Sequence, residues 1–406
     1  MAMSFETLYA DRTRAIKHSD VARIFAIIEK GDVISLAGGL PDPNLLYVTE
    51  IQEVAAKVLR EIPEQALQYC PTPGLTQFRE FVAQRAGERS VLAGVENTII
   101  TGGALQAFDY LCRLLLEPGD EVITEAPTYL AIIHTVKTYS GYTTGVPMDE
   151  HGMRTDLLAQ ILSDRREAGK MPKFIYVIPN FHNPTGLTLA AERRSELVRL
   201  GAEYGVPIIE DDAYGELQLE GEPQPLLKSL DETGGVIFLG TFSKIFCPGV
   251  RLGWMIAEPE LVQKMILVKQ ANDQCPNSMG QKMIQEFGEK GLLAKQIIKI
   301  RHGLGRRRLV MQEALQKFFP PGTQWTNPQG GYFTWATLPG AVDTEELLPT
   351  AVDQWRAAYV PGCCFFPDRS GPNTLRLSYS LATEEAIQEG ISRLGEMFGN
   401  HLAQVG

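Results

Sequence analysis

The chain has 406 residues, of which 44% are hydrophobic, and a formal net charge of −11. That length buries a large core and predicts two domains, while the acidic balance argues against a nucleic-acid footprint. The six cysteines show no C-x-x-C pair, so free thiols are expected rather than a zinc site or a disulfide framework, and no metal is predicted.

Residues 1–30 read as a polar arm followed by one helix, with Val21, Ile24, Phe25 and Ile28 on one face. They contain no apolar signal core, and no later stretch reaches the length of a membrane span, so a cytoplasmic protein without membrane contact is expected. Val33–Leu36 is a predicted strand that runs into the Gly/Pro-rich loop Ala37-Gly-Gly-Leu-Pro-Asp-Pro43, where backbone can approach a ligand. Helices are predicted over 50–59 and 76–87, separated by the turn-rich segment Gln68–Gly74. From Val95 to Trp254 strands and helices alternate, the pattern of an α/β layered sheet. The predicted strands are 98–101, 121–124, 174–178, 207–210, 236–239 and 254–257; the helices between them include 104–116 and 190–204. Polar and reactive residues recur just past these strand ends, on the rim where open α/β sheets bind ligands. The basic run Arg301–Arg308 reads as the solvated face of a long helix joining domains. Beyond Trp325 the pattern becomes a smaller α+β unit, with strands at 330–335 and 374–378 and helices at 344–358 and 384–398.

The most informative stretch is Gly235–Trp254. It sets Thr241, Ser243, Lys244 and Arg251 between two buried runs. A lysine there is costly to hold charged, because desolvation favours the neutral amine. A neutral amine is a nucleophile suited to Schiff-base chemistry, and two hydroxyls with an arginine can hold one phosphate. An amine for an aldehyde beside a phosphate clamp is what pyridoxal phosphate requires. The alternative is a surface loop with an incidental lysine. Gly102-Gly103 before a helix offers backbone N–H groups and the positive end of a helix dipole, which suit a phosphate or serve as a plain turn. Asp211 follows a buried strand, where a carboxylate can pair with a pyridinium nitrogen; Asp212 reads as a cap or solvent group. Arg376 can fork onto a carboxylate or be a surface strand arginine. His182 reads as structural.

The order Thr241-Phe-Ser-Lys244, then Pro248-Gly-Val-Arg-Leu-Gly-Trp254, together with Asn183-Pro-Thr-Gly186 and Asp211-Asp-Ala-Tyr214, resembles the fold-type I pyridoxal-phosphate enzymes of the class I/II aminotransferases. The resemblance covers about Val33 to Ser380. It implies a three-layer αβα large domain with a mostly parallel sheet and a smaller α+β C-terminal domain. The corresponding boundaries are an arm with part of the small domain at 1–48, the cofactor-binding domain at 49–290 and the small domain at 291–406. It implies that Lys244 carries the cofactor, that Asp211 meets the ring nitrogen, and that Tyr214 and Asn183 bind the ring oxygen. Tyr129 would stack on the ring. Gly103, Ala104, Leu105, Thr241, Ser243 and Arg251 would hold the phosphate, with Tyr69 reaching the phosphate of a second subunit in a homodimer. Arg376 would take the substrate α-carboxylate. Where the family usually has Ser-Gly-Ser-Gln-Gln, this chain has Gly102-Gly-Ala-Leu-Gln106, so one hydroxyl ligand of the phosphate is missing and Ala104 and Leu105 can offer only backbone N–H groups.

The Ala37-Gly-Gly-Leu-Pro motif resembles the branch that includes 2-aminoadipate and kynurenine aminotransferases, which puts Gly39 against the substrate. The arginine that this branch often carries on the N-terminal helix aligns with Ala22; Arg23 is one place later, about 100° around the helix. Leu40, Tyr47 and residues 273–278 are expected at the side-chain pocket. The activity implied is transfer of an amino group from an L-amino acid to a 2-oxo acid such as 2-oxoglutarate, in two ping-pong halves. The alternatives are a C–S β-lyase or a decarboxylase on the same fold. A ligand-sensing regulator, with such a domain behind a DNA-binding module, is not expected from the acidic charge and the early start of the catalytic-type pattern.

Overall fold

A computed structural model of the chain describes residues 5, 8–14, 32–340 and 342–405. The helix expected near Val21–Ile28, with Ala22 and Arg23, lies outside the described residues. The larger sheet has eight strands: β2 (Thr98–Thr101), β3 (Glu121–Ala126), β4 (Tyr142–Asp149), β5 (Gly152–Met153), β6 (Phe174–Val177), β7 (Ile208–Asp211), β8 (Val236–Thr241) and β9 (Gly253–Ile256). Their order is β2-β9-β8-β7-β6-β3-β4-β5. β8, β7, β6, β3 and β4 pair in parallel, β9 runs antiparallel to both β2 and β8, and β5 is antiparallel to β4. The residues of β6, β7 and β8 are buried throughout, as expected of strands covered on both faces.

The sequence between the strands forms the covering helices. α1 (Val48–Glu61) follows the Gly/Pro-rich loop, and α2 (Ala104–Leu115) follows β2 with Ala107, Phe108, Leu111 and Cys112 turned inward. α3 (Ser278–Glu289) leads into α4 (Leu292–Phe318), a helix of 27 residues. β1 (Ile34–Ser35) pairs with β12 (Ala357–Ala358) beside a four-stranded antiparallel sheet. That sheet has the order β10 (Gln324–Trp325), β11 (Phe333–Thr337), β14 (Thr374–Ser378) and β13 (Val360–Pro361). α5 (Glu384–Val405) packs on α4 and closes the chain. The fold is thus α/β, with a large mostly parallel sheet and a smaller C-terminal one.

Several expectations need correction. The helix expected over 344–358 stops at Asp353, and the chain then re-enters a sheet as β12. The strand expected from Gly330 starts at Phe333, because Gly331 has φ +71°, a left-handed turn that brings the chain against Phe181. β4 was not foreseen; it is mostly half-buried, with Tyr142 and Pro147 exposed and Val146 alone buried, as befits a strand near the sheet edge. The basic run is not solvated throughout. Arg307 is ion-paired to Asp42, Arg308 to Glu220, and both arginines are buried. Asp212 is no solvent group either: it is buried, paired with Arg89, and accepts from Asn180 Nδ2. None of the six cysteines forms a disulfide. Among the described residues no helix is long and apolar enough to cross a membrane.

Candidate active site

Five parallel-running strands deliver their C-terminal ends to one rim, and the residues singled out in the sequence lie there. Gly103 follows β2, Tyr129 follows β3, Asn183 follows β6, Asp211 ends β7, and Thr241 ends β8 with Ser243 and Lys244 just beyond. Arg251 precedes β9 at φ +50°. The turn after β8 is held by its own hydroxyls: Thr241 Oγ1 donates to Ser243 Oγ at 3.0 Å and accepts from Ser243 N at 3.1 Å. Arg251 Nη2 donates to Gly102 O at 2.8 Å, and its Nη1 lies 3.5 Å from Ser243 Oγ. Gly103 has φ +105°, and a Cβ there would stand 3.0 Å from Arg251 Nη2. A glycine is therefore what lets the N-terminus of α2 approach the guanidinium. Ala104 and Leu105 open that helix, where N–H groups have no intrahelical acceptor. Two hydroxyls, a guanidinium and a helix N-terminus form an anion cup.

Lys244 is half-buried, and its amine reaches across to donate to Gly39 O at 2.9 Å. The rings of Tyr214 and Tyr332 flank it at 5.9 and 5.4 Å. Burial, reinforced by the Arg376 and Arg251 charges and opposed by Asp211, pushes its pKa down to about 8. Asp211 shows the converse. Burial pushes its carboxyl up to about 6, against the Tyr176 hydroxyl that donates to Oδ2 at 2.7 Å. Its other oxygen, Oδ1, is buried with no hydrogen-bond partner among the described residues. Tyr129 and Tyr214 have their hydroxyls pushed up, chiefly by burial.

Arg376 is buried in β14 between Trp335 of β11 and Val360 of β13, not on a surface strand. Its Nη1 donates to Asn183 Oδ1 at 2.8 Å and its Nη2 to Ala37 O at 2.6 Å. The guanidinium sits 4.2 Å from the Phe333 ring centre and 4.9 Å from that of Phe365, and Nε has no partner among the described residues. Burial pushes its pKa down to about 10, still charged at neutral pH. Gly39 passes so close to Phe333 that a Cβ would lie 2.6 Å from the ring.

The segment from Ala37 to Tyr47 forms a strap over Lys244, fastened along its length. Ser380 Oγ donates to Leu40 O at 2.7 Å, the buried Arg307 pairs with Asp42, Lys299 Nζ donates to Leu46 O at 3.1 Å, and Gln296 Oε1 accepts from Tyr47 N at 2.8 Å. Gln296, fully buried in α4, also donates to Ile245 O and Phe246 O, so one side chain joins the strap to the Lys244 turn. Nothing in the sequence marked Gln296 or Tyr176, and Arg307 stood out only as part of a run expected to be solvated. The fully buried Arg194 was missed as well; it donates to Pro179 O, Leu189 O, Pro225 O and Asn180 Oδ1 and so braces the loop carrying Asn183.

Tyr69 is not part of this cluster. It is 79% exposed, on a loop tied to the start of α3 by Ser278 Oγ donating to Gln68 O and Cys70 Sγ to Pro276 O. Asp273 is engaged by Lys269 and Gln106. His182 is buried, with Nε2 3.0 Å from a Glu125 carboxylate oxygen and Nδ1 2.9 Å from Thr185 Oγ1, as expected of a structural histidine.

The family model for aminotransferases of class I and II matches residues 32–394. An aromatic-amino-acid aminotransferase 1 of Thermococcus litoralis is 42% identical over 97% of this chain and 94% of its own length. The solved kynurenine aminotransferase of Pyrococcus horikoshii, in complex with PMP, superposes with a TM-score of 0.95 at 39% identity, covering 98% of each chain. The α-aminoadipate aminotransferase of Thermus thermophilus, complexed with N-(5'-phosphopyridoxyl)-L-leucine, gives a TM-score of 0.91 at 34% identity over 99% of this chain and all of the other.

Proposed function

Because the chain belongs to the class I and II aminotransferases, enzymes that transfer amino groups with pyridoxal phosphate as cofactor, we propose that it moves the amino group of an L-amino acid to a 2-oxo acid such as 2-oxoglutarate by ping-pong turnover, with Lys244 as catalytic base. The observation that carries this reading is the convergence of a buried amine, a buried carboxylate with one unpartnered oxygen and an anion cup on a single rim. Asp211 Oδ1 is an acceptor without a donor among the described residues, which suits a ring N–H. Gly103, Ala104, Leu105, Thr241, Ser243 and Arg251 suit a phosphate, and Tyr129 a ring face. When bound, pyridoxal phosphate supplies an electrophilic carbonyl and a ring that withdraws electron density from the substrate.

The chain's own residues do the rest. Arg376 orients the amino acid by forking onto its α-carboxylate, with Phe333 and Phe365 keeping water from the guanidinium. Lys244 Nζ, uncharged in a good fraction of molecules near its depressed pKa, would take the proton from the substrate Cα and deliver it to the cofactor's carbonyl carbon, on the far side of the amino nitrogen. Tyr214 and Asn183 would hold the ring oxygen, and Asp211 would keep a proton at the ring nitrogen. Tyr69 completes the site of a partner protomer in a homodimer, and Gly39 lies against the substrate. The donors named for the relatives, aromatic amino acids, kynurenine and α-aminoadipate, make these the first candidates here. Division into an arm with part of the small domain (1–48), a cofactor domain (49–290) and a small domain (291–406), and a cytoplasmic setting, complete the proposal.

The test is a half-reaction. Cofactor-loaded protein is mixed with single amino acids and no acceptor. The absorption band of the lysine-bound cofactor should give way to that of the pyridoxamine form, and the rate ranking across donors sets specificity. A band that persists while pyruvate accumulates from a cysteine conjugate would refute transamination in favour of a lyase.

A further inference from the structure

The Asp211 carboxylate is held asymmetrically. One oxygen accepts a 2.7 Å hydrogen bond from Tyr176, and the other has no partner among the described residues. Tyr176 lies on β6, the neighbour of β7, where it is opposite Ile209. Asp211 is two residues further on, so the two side chains share a face of the sheet as diagonal neighbours. Tyr176 is fully buried, and the Phe108 ring meets it edge-on at 5.1 Å. A phenylalanine would fill the same apolar space. The hydroxyl is the part that apolar packing does not call for, and a buried hydroxyl is costly without a partner.

We propose that Tyr176 is a positioning residue for the transfer reaction: its hydroxyl occupies Asp211 Oδ2, leaves Oδ1 as the single acceptor for the cofactor's ring nitrogen, and keeps the shared proton on that nitrogen. The proposal rests on the assignment of Asp211 to the ring nitrogen. A proton between a carboxylate and a pyridine nitrogen resides on the more basic of the two. Around Asp211, burial and the neighbouring Asp212 and Glu125 carboxylates make the carboxylate more basic, whereas Lys244 opposes them. Donation from Tyr176 draws charge off the carboxylate and acts in the same sense as Lys244. Without it Asp211 becomes the better base, takes the proton, and the ring loses its pull on electrons.

Two readouts separate this from a packing role. In the holoenzyme loaded with 15N-labelled cofactor, Tyr176→Phe should move the ring-nitrogen resonance toward the unprotonated pyridine value, with kcat falling about ten-fold while KM changes little. In the cofactor-free protein, the Asp211 carboxyl band, identified by infrared difference against Asp211→Asn, should titrate about one unit higher in Tyr176→Phe. It should titrate lower when a more acidic fluorotyrosine is placed at position 176. That second variant retains the hydroxyl and decides the matter if the phenylalanine variant does not fold. If Asp211→Asn moves the nitrogen resonance but the Tyr176 variants move neither it nor the carboxyl titration, Tyr176 is a core residue and the proposal is overturned. If Asp211→Asn itself leaves the resonance in place, the assignment of Asp211 to the ring is what fails.

Discussion

Lys244 is the residue at which stability and activity pull in opposite directions. Its amine is desolvated beside two arginines, so the folded chain holds the proton less well than the unfolded chain, whose lysine keeps the ordinary value of 10.5. Below about pH 8 both states are charged and the folded state carries the full penalty. Between that pH and the unfolded value the native amine is neutral while the unfolded one is still protonated, so stability rises with pH across this window. Lys244→Met should therefore abolish transamination while raising the stability of the cofactor-free protein at pH 7, on the order of 2 kcal/mol after allowing for water in the cavity. The advantage should shrink as pH climbs through the window, which denaturant unfolding at a series of pH values would reveal; a constant difference would mean that the charge is not its source. Arg376 gives a second residue-scale expectation. Lysine there keeps a charge but loses the planar fork and the stacking on Phe333, so Arg376→Lys should lower kcat/KM roughly 30–100-fold, mostly through KM. Steady-state kinetics over a range of amino-acid concentrations checks this.

At the scale of elements, the strap from Ala37 to Tyr47 shows what the sequence could and could not disclose. Its Gly/Pro content announced a loop able to approach a ligand, and the strand ends 98–101, 121–126, 174–177, 208–211 and 236–241 came close to their expected places, because runs of apolar residues bounded by Gly, Pro and polar residues are local signals. Lys244, Asp211, Asn183, Arg251 and Arg376 were legible because each stands at a strand end or in a motif with a distinctive neighbour. The residues that fasten the site were not, since their partners are remote in sequence. Arg307 looked like one of several surface arginines on a basic helix, and only the fold places Asp42 against it. Likewise, Tyr176 reads as one more apolar strand residue until β7 brings Asp211 alongside. The buried Arg307–Asp42 pair yields a prediction at this scale. Removing one charge strands the other without water, so Arg307→Gln should destabilise the protein by about 3–5 kcal/mol and Asp42→Asn by a similar amount. The double variant should cost clearly less than the sum, because neither side is then left charged. A double-mutant cycle by chemical denaturation measures the coupling, and additivity of the two losses would show that the pair does not hold the strap.

For the whole molecule the question is whether each active site is built by one chain or two. Within one protomer, Tyr69 stands apart from the anion cup to which its motif assigns it, exposed beside Leu67, which is itself 70% exposed. The loop bearing them is not loose: it is pinned to the start of α3 through Gln68 and Cys70, so an exposed tyrosine is presented rather than left over. In a two-fold dimer the same surface would meet its own copy, and Tyr69 from each chain could enter the other chain's cup. Complementation tests this directly. Lys244→Ala and Tyr69→Ala are each expected to be inactive or nearly so as homodimers. If Tyr69 acts across the interface, mixed dimers of the two variants contain one site with both defects and one with neither, so refolding an equal mixture should restore about one quarter of wild-type activity. If Tyr69 acts within its own chain, every site in the mixed dimer carries one defect and the mixture stays as inactive as its components.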